Sequence, residues 1–127
     1  MRLRQPRIQP VTEAEWTDDS RPVLAANSAR GPVLNVFATI ARHPKLLKRW
    51  VVFANHVLNG NTLPAREREL VILRTGFVCR SGYEWAQHAS IGRAAGLTDA
   101  EIVRLTIGSN ADGWGNGDRM LLQATEQ

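Results

Sequence analysis

From Asn35 onward the chain is a succession of helix-length apolar patterns cut by strong stop signals. No segment shows the two-residue alternation of a strand. That combination restricts the chain to an all-α fold. Asn35 can cap a short helix through about Arg42. His43-Pro44 starts another, with proline at the first helical position. Leu47, Val51, Ala54 and Leu58 recur along it at helical spacing, and Leu46, Trp50, Phe53 and Val57 form a second stripe beside them. An apolar arc this wide exceeds what one neighbouring helix covers. It predicts burial from two sides, with a subunit interface as one of them.

Asn59-Gly60-Asn61 ends that helix and Thr62-Leu63-Pro64 opens the next, which runs to about Val78. Its core stripe is Leu70, Leu73 and Phe77, with Ile72 and Gly76 alongside. Ser81-Gly82-Tyr83-Glu84 has capping-box spacing and opens a helix to about Ala95, stopped by Gly96. Helices over about 63–78 and 82–95 are thus predicted to pack as a central antiparallel hairpin. Thr98-Asp99-Ala100-Glu101 repeats the capping pattern and opens a helix to about Ile107. A Gly-rich loop around Trp114 follows. A last helix starts near Asn116 or Gly117 and meets no stop signal before Gln127, so the natural chain is expected to continue. At the other end, residues 1–11 read as an extended arm with Pro6 and Pro10. Residues 12–30 carry a weak helical pattern, broken near Arg21-Pro22 and closed by Gly31-Pro32. All 127 residues are expected to form one domain.

Composition narrows the function classes. No stretch approaches the roughly 20 apolar residues of a membrane span, and MRLRQPRIQPV has no apolar core of signal-peptide length. The expected setting is the cytoplasm, without a membrane partner. The formal net charge is +4, and 14 of the 16 basic residues are arginine, which raises nucleic-acid binding. The basic residues are however interleaved with acids, as in Arg66-Glu67-Arg68-Glu69. An acid-free basic run at the N-terminus holds Arg2, Arg4 and Arg7. A solvated surface or an anionic small substrate accounts for the charge, and no nucleic-acid partner is expected. The one cysteine, Cys79, cannot form an intrachain disulfide, a CxxC pair or a cysteine-based zinc cluster.

Three residues stand out chemically: Glu69, Glu84 and His88. Glu84 and His88 are four apart on one predicted helix, so their side chains are neighbours. The same face continues with Ile91 and Ala95, which points it inward. Glu69 lies at the edge of the stripe on the preceding helix. If the two helices form a hairpin, a carboxylate faces a carboxylate–imidazole pair, an arrangement that separates acid and base roles. Structural readings stand beside this. Glu84 fits the third position of a capping box, Glu69 can pair with Arg66 or Arg74, and His88 can be a hydrogen-bonded core residue. Two ligands at E-x-x-x-H spacing fall short of a metal site, since His43 and His56 lack ligand-like spacing to them.

The segments LNVFATIARHPKLLKRW, LPARERELVILRTG and YEWAQHASIGRAAGLTDAEI, spanning Leu34 to Ile107, resemble the carboxymuconolactone decarboxylase family. The later G-W and D-R-M-L-L-Q-A-T-E-Q also resemble it. The resemblance implies an alkylhydroperoxidase-like helical fold. The redox branch of that superfamily carries a Glu, then C-x-x-C, then a His four residues after the second cysteine. On this sequence Glu69 matches the Glu and His88 the His, but Ser81 and Glu84 occupy the cysteine positions. Cys79 is two residues off, about 200° around a helix. Without paired thiols, no intramolecular disulfide cycle can reduce a peroxide.

The resemblance therefore implies a cofactor-free lyase acting on a small anionic lactone or related acid. His88 would donate the proton, with Glu69 and Glu84 as its partners. Arg74 or Arg66 would receive a carboxylate, and Tyr83 and Ser81 would border the substrate, while Trp85 is read first as a core residue. It further implies a homo-oligomer, a trimer or a hexamer. The alternatives it leaves are alkylhydroperoxidase-like antioxidant activity and a non-catalytic oligomer that keeps the fold.

Overall fold

The computed structural model describes residues 5–29 and 31–127. Arg2 and Arg4 of the expected arm, and Arg30 at the end of the weak pattern, lie outside the described residues. The chain divides into two compact units, Met1–Asn61 and Thr62–Gln127. Among the described residues there are seven α-helices, one short 3-10 turn and no strand. The all-α expectation holds. None of these helices is long and apolar enough to cross a membrane.

In the first unit a 3-10 turn (Glu13–Glu15) precedes α1 (Arg21–Ser28), α2 (Asn35–Ile40) and α3 (Pro44–Asn59). Arg21-Pro22, expected to break the helical pattern, instead begins α1. Proline in a first turn gives up an amide that has no intrahelical partner there. Leu34, not Asn35, is the N-cap of α2. His43 caps α3, its Nδ1 accepting from the Leu46 amide at 3.2 Å. Glu15 accepts from the Thr12 amide and from Arg42, and these bonds hold its carboxyl down to about 2.

Leu24, Ala41 and Leu47 form the core of this unit, with Phe37, Ile40 and Val51 packed against them. Three members of the second stripe of α3 face outward, while Trp50 packs edge-on against Phe37. Phe53 is 67% exposed, and Leu46 and Val57 are also exposed. The arc inferred from sequence is therefore only half covered.

The second unit holds α4 (Ala65–Val78), α5 (Gly82–Ala94), α6 (Asp99–Arg104) and α7 (Asn116–Glu126). α4 is its centre, packing against both α5 and α7. The core is Leu70 and Leu73 of α4, Ala89 of α5, Leu97, Ile102, Leu105, Ala111, Trp114 and Leu122, with Trp85 and Leu121 against it. Each fully buried leucine contributes roughly 1.5–3 kcal/mol of transfer free energy. The Trp114 indole N–H donates to the Gly108 carbonyl at 3.0 Å, which closes the Gly-rich loop.

α6 ends at Arg104 rather than near Ile107, and residues 105–107 form turns. The Thr98–Glu101 capping box forms in full. The Ser81–Glu84 box forms only by half. Ser81 Oγ accepts from the Glu84 amide at 3.5 Å, while the Glu84 side chain turns elsewhere. Phe77, expected in the core stripe, is 43% exposed.

Candidate active site

The expected α4–α5 hairpin is present, and two glycines set its spacing. A Cβ at Gly92 would stand 3.1 Å from Leu97 Cδ1, 3.3 Å from Leu73 Cδ1 and 3.7 Å from Glu69 Cβ. A Cβ at Gly76 would stand 3.5 Å from Glu84 Cβ. Removing both side chains lets the helices approach closely enough for Glu69 and His88 to meet. Gly92 escaped the sequence reading. Its signal is its position four residues after His88, on the same helical face.

Glu69 is only 1% exposed, although it is a carboxylate. Such a group is found inside a protein only when it is paired or hydrogen-bonded. Both its oxygens are engaged. Oε2 lies 2.7 Å from His88 Nδ1, and Oε1 accepts from Arg68 Nε at 3.2 Å. With Glu69 ionised, the short contact fixes the His88 tautomer that carries a proton on Nδ1. His88 Nε2 then faces Glu84, whose Oε2 is 3.5 Å away. That separation suits an ion pair but is too long for a good hydrogen bond. Glu84 is the solvent-side member of the set, its side chain 43% exposed against 13% for His88.

The trio read from sequence is thus brought together in one place. Ile91, expected to point inward with His88, is 44% exposed. The inward face of α5 is instead formed by Ala89 and Gly92. The other expected residues are placed differently. Arg74 Nε donates to Glu126 at 2.7 Å and Nη1 to the Leu105 carbonyl at 2.8 Å, and its guanidinium also lies over the Phe77 ring. Arg66 forms two bonds to Asp118, at 3.0 and 2.9 Å, and a further one to Glu101. Both guanidiniums named as carboxylate receptors are already occupied by acceptors of the protein.

Burial raises the Glu101 carboxyl, but hydrogen bonds from Thr98 and Arg66 outweigh it and leave the group below its usual value. Glu126 behaves alike. Burial raises it, and bonds from Ser109 with the charge of Arg74 bring it below the usual value. Asp118 in turn pushes the Arg66 guanidinium upward.

A groove of about 720 Å³ lies at the α4–α5 corner, lined by residues that include Arg74, Phe77, Arg80, Ser81, Trp85 and Thr106. It takes in Ser81 and Arg74 of the expected substrate-binding residues, but not Tyr83, Glu69, Glu84 or His88. Cys79 is exposed and caps the end of α4, outside the Glu69–His88 pair. Among the described residues no group of three or more His, Cys, Asp or Glu side chains is arranged to hold a metal ion.

An all-helical unit whose central hairpin buries a carboxylate against an imidazole defines a class of candidate acid–base proteins. The family is settled by comparison. The profile of the carboxymuconolactone decarboxylase family matches residues 44–127, and the chain belongs to that family. Searches of curated proteins and of solved structures gave no match.

Proposed function

We propose that this chain is a cofactor-free carboxy-lyase acting on a small anionic lactone or related carboxylic acid, with His88 as the proton donor. The observation that carries the reading is the 2.7 Å contact of His88 Nδ1 with the buried Glu69. In the reaction the bond between carbon and the departing carboxylate breaks. Carbon dioxide leaves, and the electron pair stays behind, delocalised into the lactone carbonyl as an enolate. His88 delivers one proton from Nε2 to carbon and is reprotonated from solvent. Glu69 holds the ring in orientation through Nδ1, and Glu84 stands beside the nitrogen that works.

Membership of the family supports a decarboxylase-like or alkylhydroperoxidase-like protein as the coarser statement. The single cysteine favours the first, because a dithiol cycle needs a second thiol. We also infer self-association through the outward stripe of α3, since exposed Leu46, Phe53 and Val57 lie along one face. Sedimentation at micromolar concentration should find an oligomer, and a stable monomer would contradict this.

The test of the activity is incubation with carboxylated γ-lactones in deuterated water. Release of carbon dioxide matched by uptake of one deuterium on carbon is expected. No release from a panel of such acids, beside robust turnover of a peroxide with a dithiol reductant, would overturn the reading.

A further inference from the structure

Resting on the reading of His88 as proton donor, we propose that Arg68 is a positioning residue that acts through Glu69, as the fixed counter-charge that lets the Glu69–His88 pair release its proton. Glu69 is 1% exposed and meets two groups. Its Oε2 is 2.7 Å from His88 Nδ1, and its Oε1 is 3.2 Å from Arg68 Nε. The imidazole is a cation only while protonated, whereas a guanidinium stays charged throughout the working pH range. Among the described residues, Arg68 is the one permanent positive charge within ion-pair reach of Glu69.

Neighbouring residues on a helix point about 100° apart, so the Arg68 side chain bends back to make this contact. Other arginines near the hairpin are committed elsewhere. Arg66 is held by Asp118 and Glu101, Arg74 by Glu126, and Arg93 by Asp99. Those arginines also occupy the acids of α6 and α7. Glu84 of α5 is left facing His88, from the solvent side.

Before reaction the pair carries two protons in one of two ways. Both sit on the ring beside an anionic Glu69, or each partner holds one and both are neutral. Without a counter-charge the interior favours the neutral form, because burial penalises charge. When Nε2 gives its proton to carbon, one proton remains on Nδ1, and Glu69 stays an anion beside a neutral ring. That state leaves a net negative charge on a pair whose carboxylate is shut away from water. The Arg68 guanidinium offsets it, and the same positive charge opposes a proton bound to the pair. Both effects have one sign: with Arg68 in place the pair holds its proton less tightly. Arg68 itself neither gains nor loses a proton.

The test needs no substrate. Protein carrying nitrogen-labelled histidine is titrated by NMR, and the His88 ring is identified by the signal that His88→Gln removes. Arg68→Gln should move the ring titration upward by about half a pH unit or more. Arg68→Lys keeps the charge and should stay nearer to wild type. Arg80→Gln removes an exposed charge outside the pair and should leave the titration in place. A purely structural Arg68 would lower the melting temperature without moving the ring. That result in folded Arg68→Gln overturns the inference, as does an equal shift in Arg80→Gln. Arg68→Gln strands the Glu69 carboxylate. If it does not fold, Glu69→Gln is compared with the double variant carrying Arg68→Gln as well, in which no carboxylate is stranded. The ring should titrate higher in the double variant, and an unchanged midpoint overturns the inference. A shifted ring in a protein that turns over no lactone acid leaves the counter-charge standing and the lyase reading fallen. Turnover with an unmoved ring does the reverse.

Discussion

Two carboxylate–cation clusters grow from the same helix, α4, and differ in one respect. Around Arg66 both terminal nitrogens are taken: Asp118 and Glu101 accept from the guanidinium, and Glu101 also accepts from the Thr98 amide. Four residues from three places in the chain tie α4 to the starts of α6 and α7. Around Glu69 the bonding is incomplete at its outer side. The carboxylate itself is satisfied by His88 and Arg68. His88 Nε2 has only a 3.5 Å neighbour, and Arg68 keeps two nitrogens without protein acceptors among the described residues. A closed network stabilises, whereas an open one has groups left to offer a ligand. On the proposed reading the first cluster holds the fold and the second carries the chemistry.

The sharpest way to break that contrast is to alter one carboxylate in each. Glu69→Gln preserves shape but removes the charge that holds the His88 tautomer. We expect turnover to fall by about 10²-fold, the lower end for a lost acid–base role, and steady-state kinetics will show it. Turnover within threefold of wild type would place the chemistry elsewhere.

Arg66→Ala should do the reverse. Two carboxyl groups lose their partner, so stability should fall by about 1–3 kcal/mol in urea titration. Turnover per folded molecule should stay within a few-fold. A stability effect below about 0.5 kcal/mol would demote the cluster to a surface contact.

The same cluster, through Glu101, and the separate Arg74–Glu126 pair carry a pH dependence with a definite sign. Glu101 and Glu126 have folded-state carboxyls below their unfolded value, here 4.5. Below that value the unfolded chain binds more protons than the folded one, so stability rises with pH across this window. The contribution is present in full above about pH 5 and is lost as pH falls through the folded values. Melting temperatures taken from pH 6 downward should decline over this range. In Arg66→Ala the decline should be shallower, and an unchanged slope would count against the network. The smallest effect belongs to Cys79→Ser. The thiol is exposed at the end of α4 and has no resolving partner, so lyase turnover should remain within a few-fold. Abolished turnover would point back to thiol chemistry.

Much of this was legible in the sequence because the governing signals are local. The stops at Asn59-Gly60-Asn61 and Gly96, and the Thr98 capping box, delimit helices without reference to anything distant. The meeting of Glu69 with His88 required only the hairpin and the i, i+4 rule. Three features were not legible, each for a physical reason. Arg21-Pro22 reads as a breaker and is a start, because proline is tolerated in a first turn and the pattern before it is weak. Arg74 and Arg66 looked available, but their partners Glu126 and Asp118 lie 52 residues away, beyond any local rule. Arg68 was hidden in an alternating charge run, since sequence cannot tell which arginine of Arg66-Glu67-Arg68 is left with free donors. Ile91 followed the apolar pattern and is exposed, because Gly92 and Ala89 bring the opposite side of α5 to α4.

The central claim is that His88, fixed through Nδ1 by the buried Glu69, delivers the proton. The most direct measurement compares the turnover of His88→Gln and Glu84→Gln with wild type on a decarboxylating lactone acid, each variant checked by thermal unfolding. A loss of at least about 10²-fold in His88→Gln, with the folded state retained, is the predicted result. Glu84→Gln reports whether the exposed carboxylate contributes beyond its place at the helix start. A folded His88→Gln protein that turns over at the wild-type rate would contradict the account.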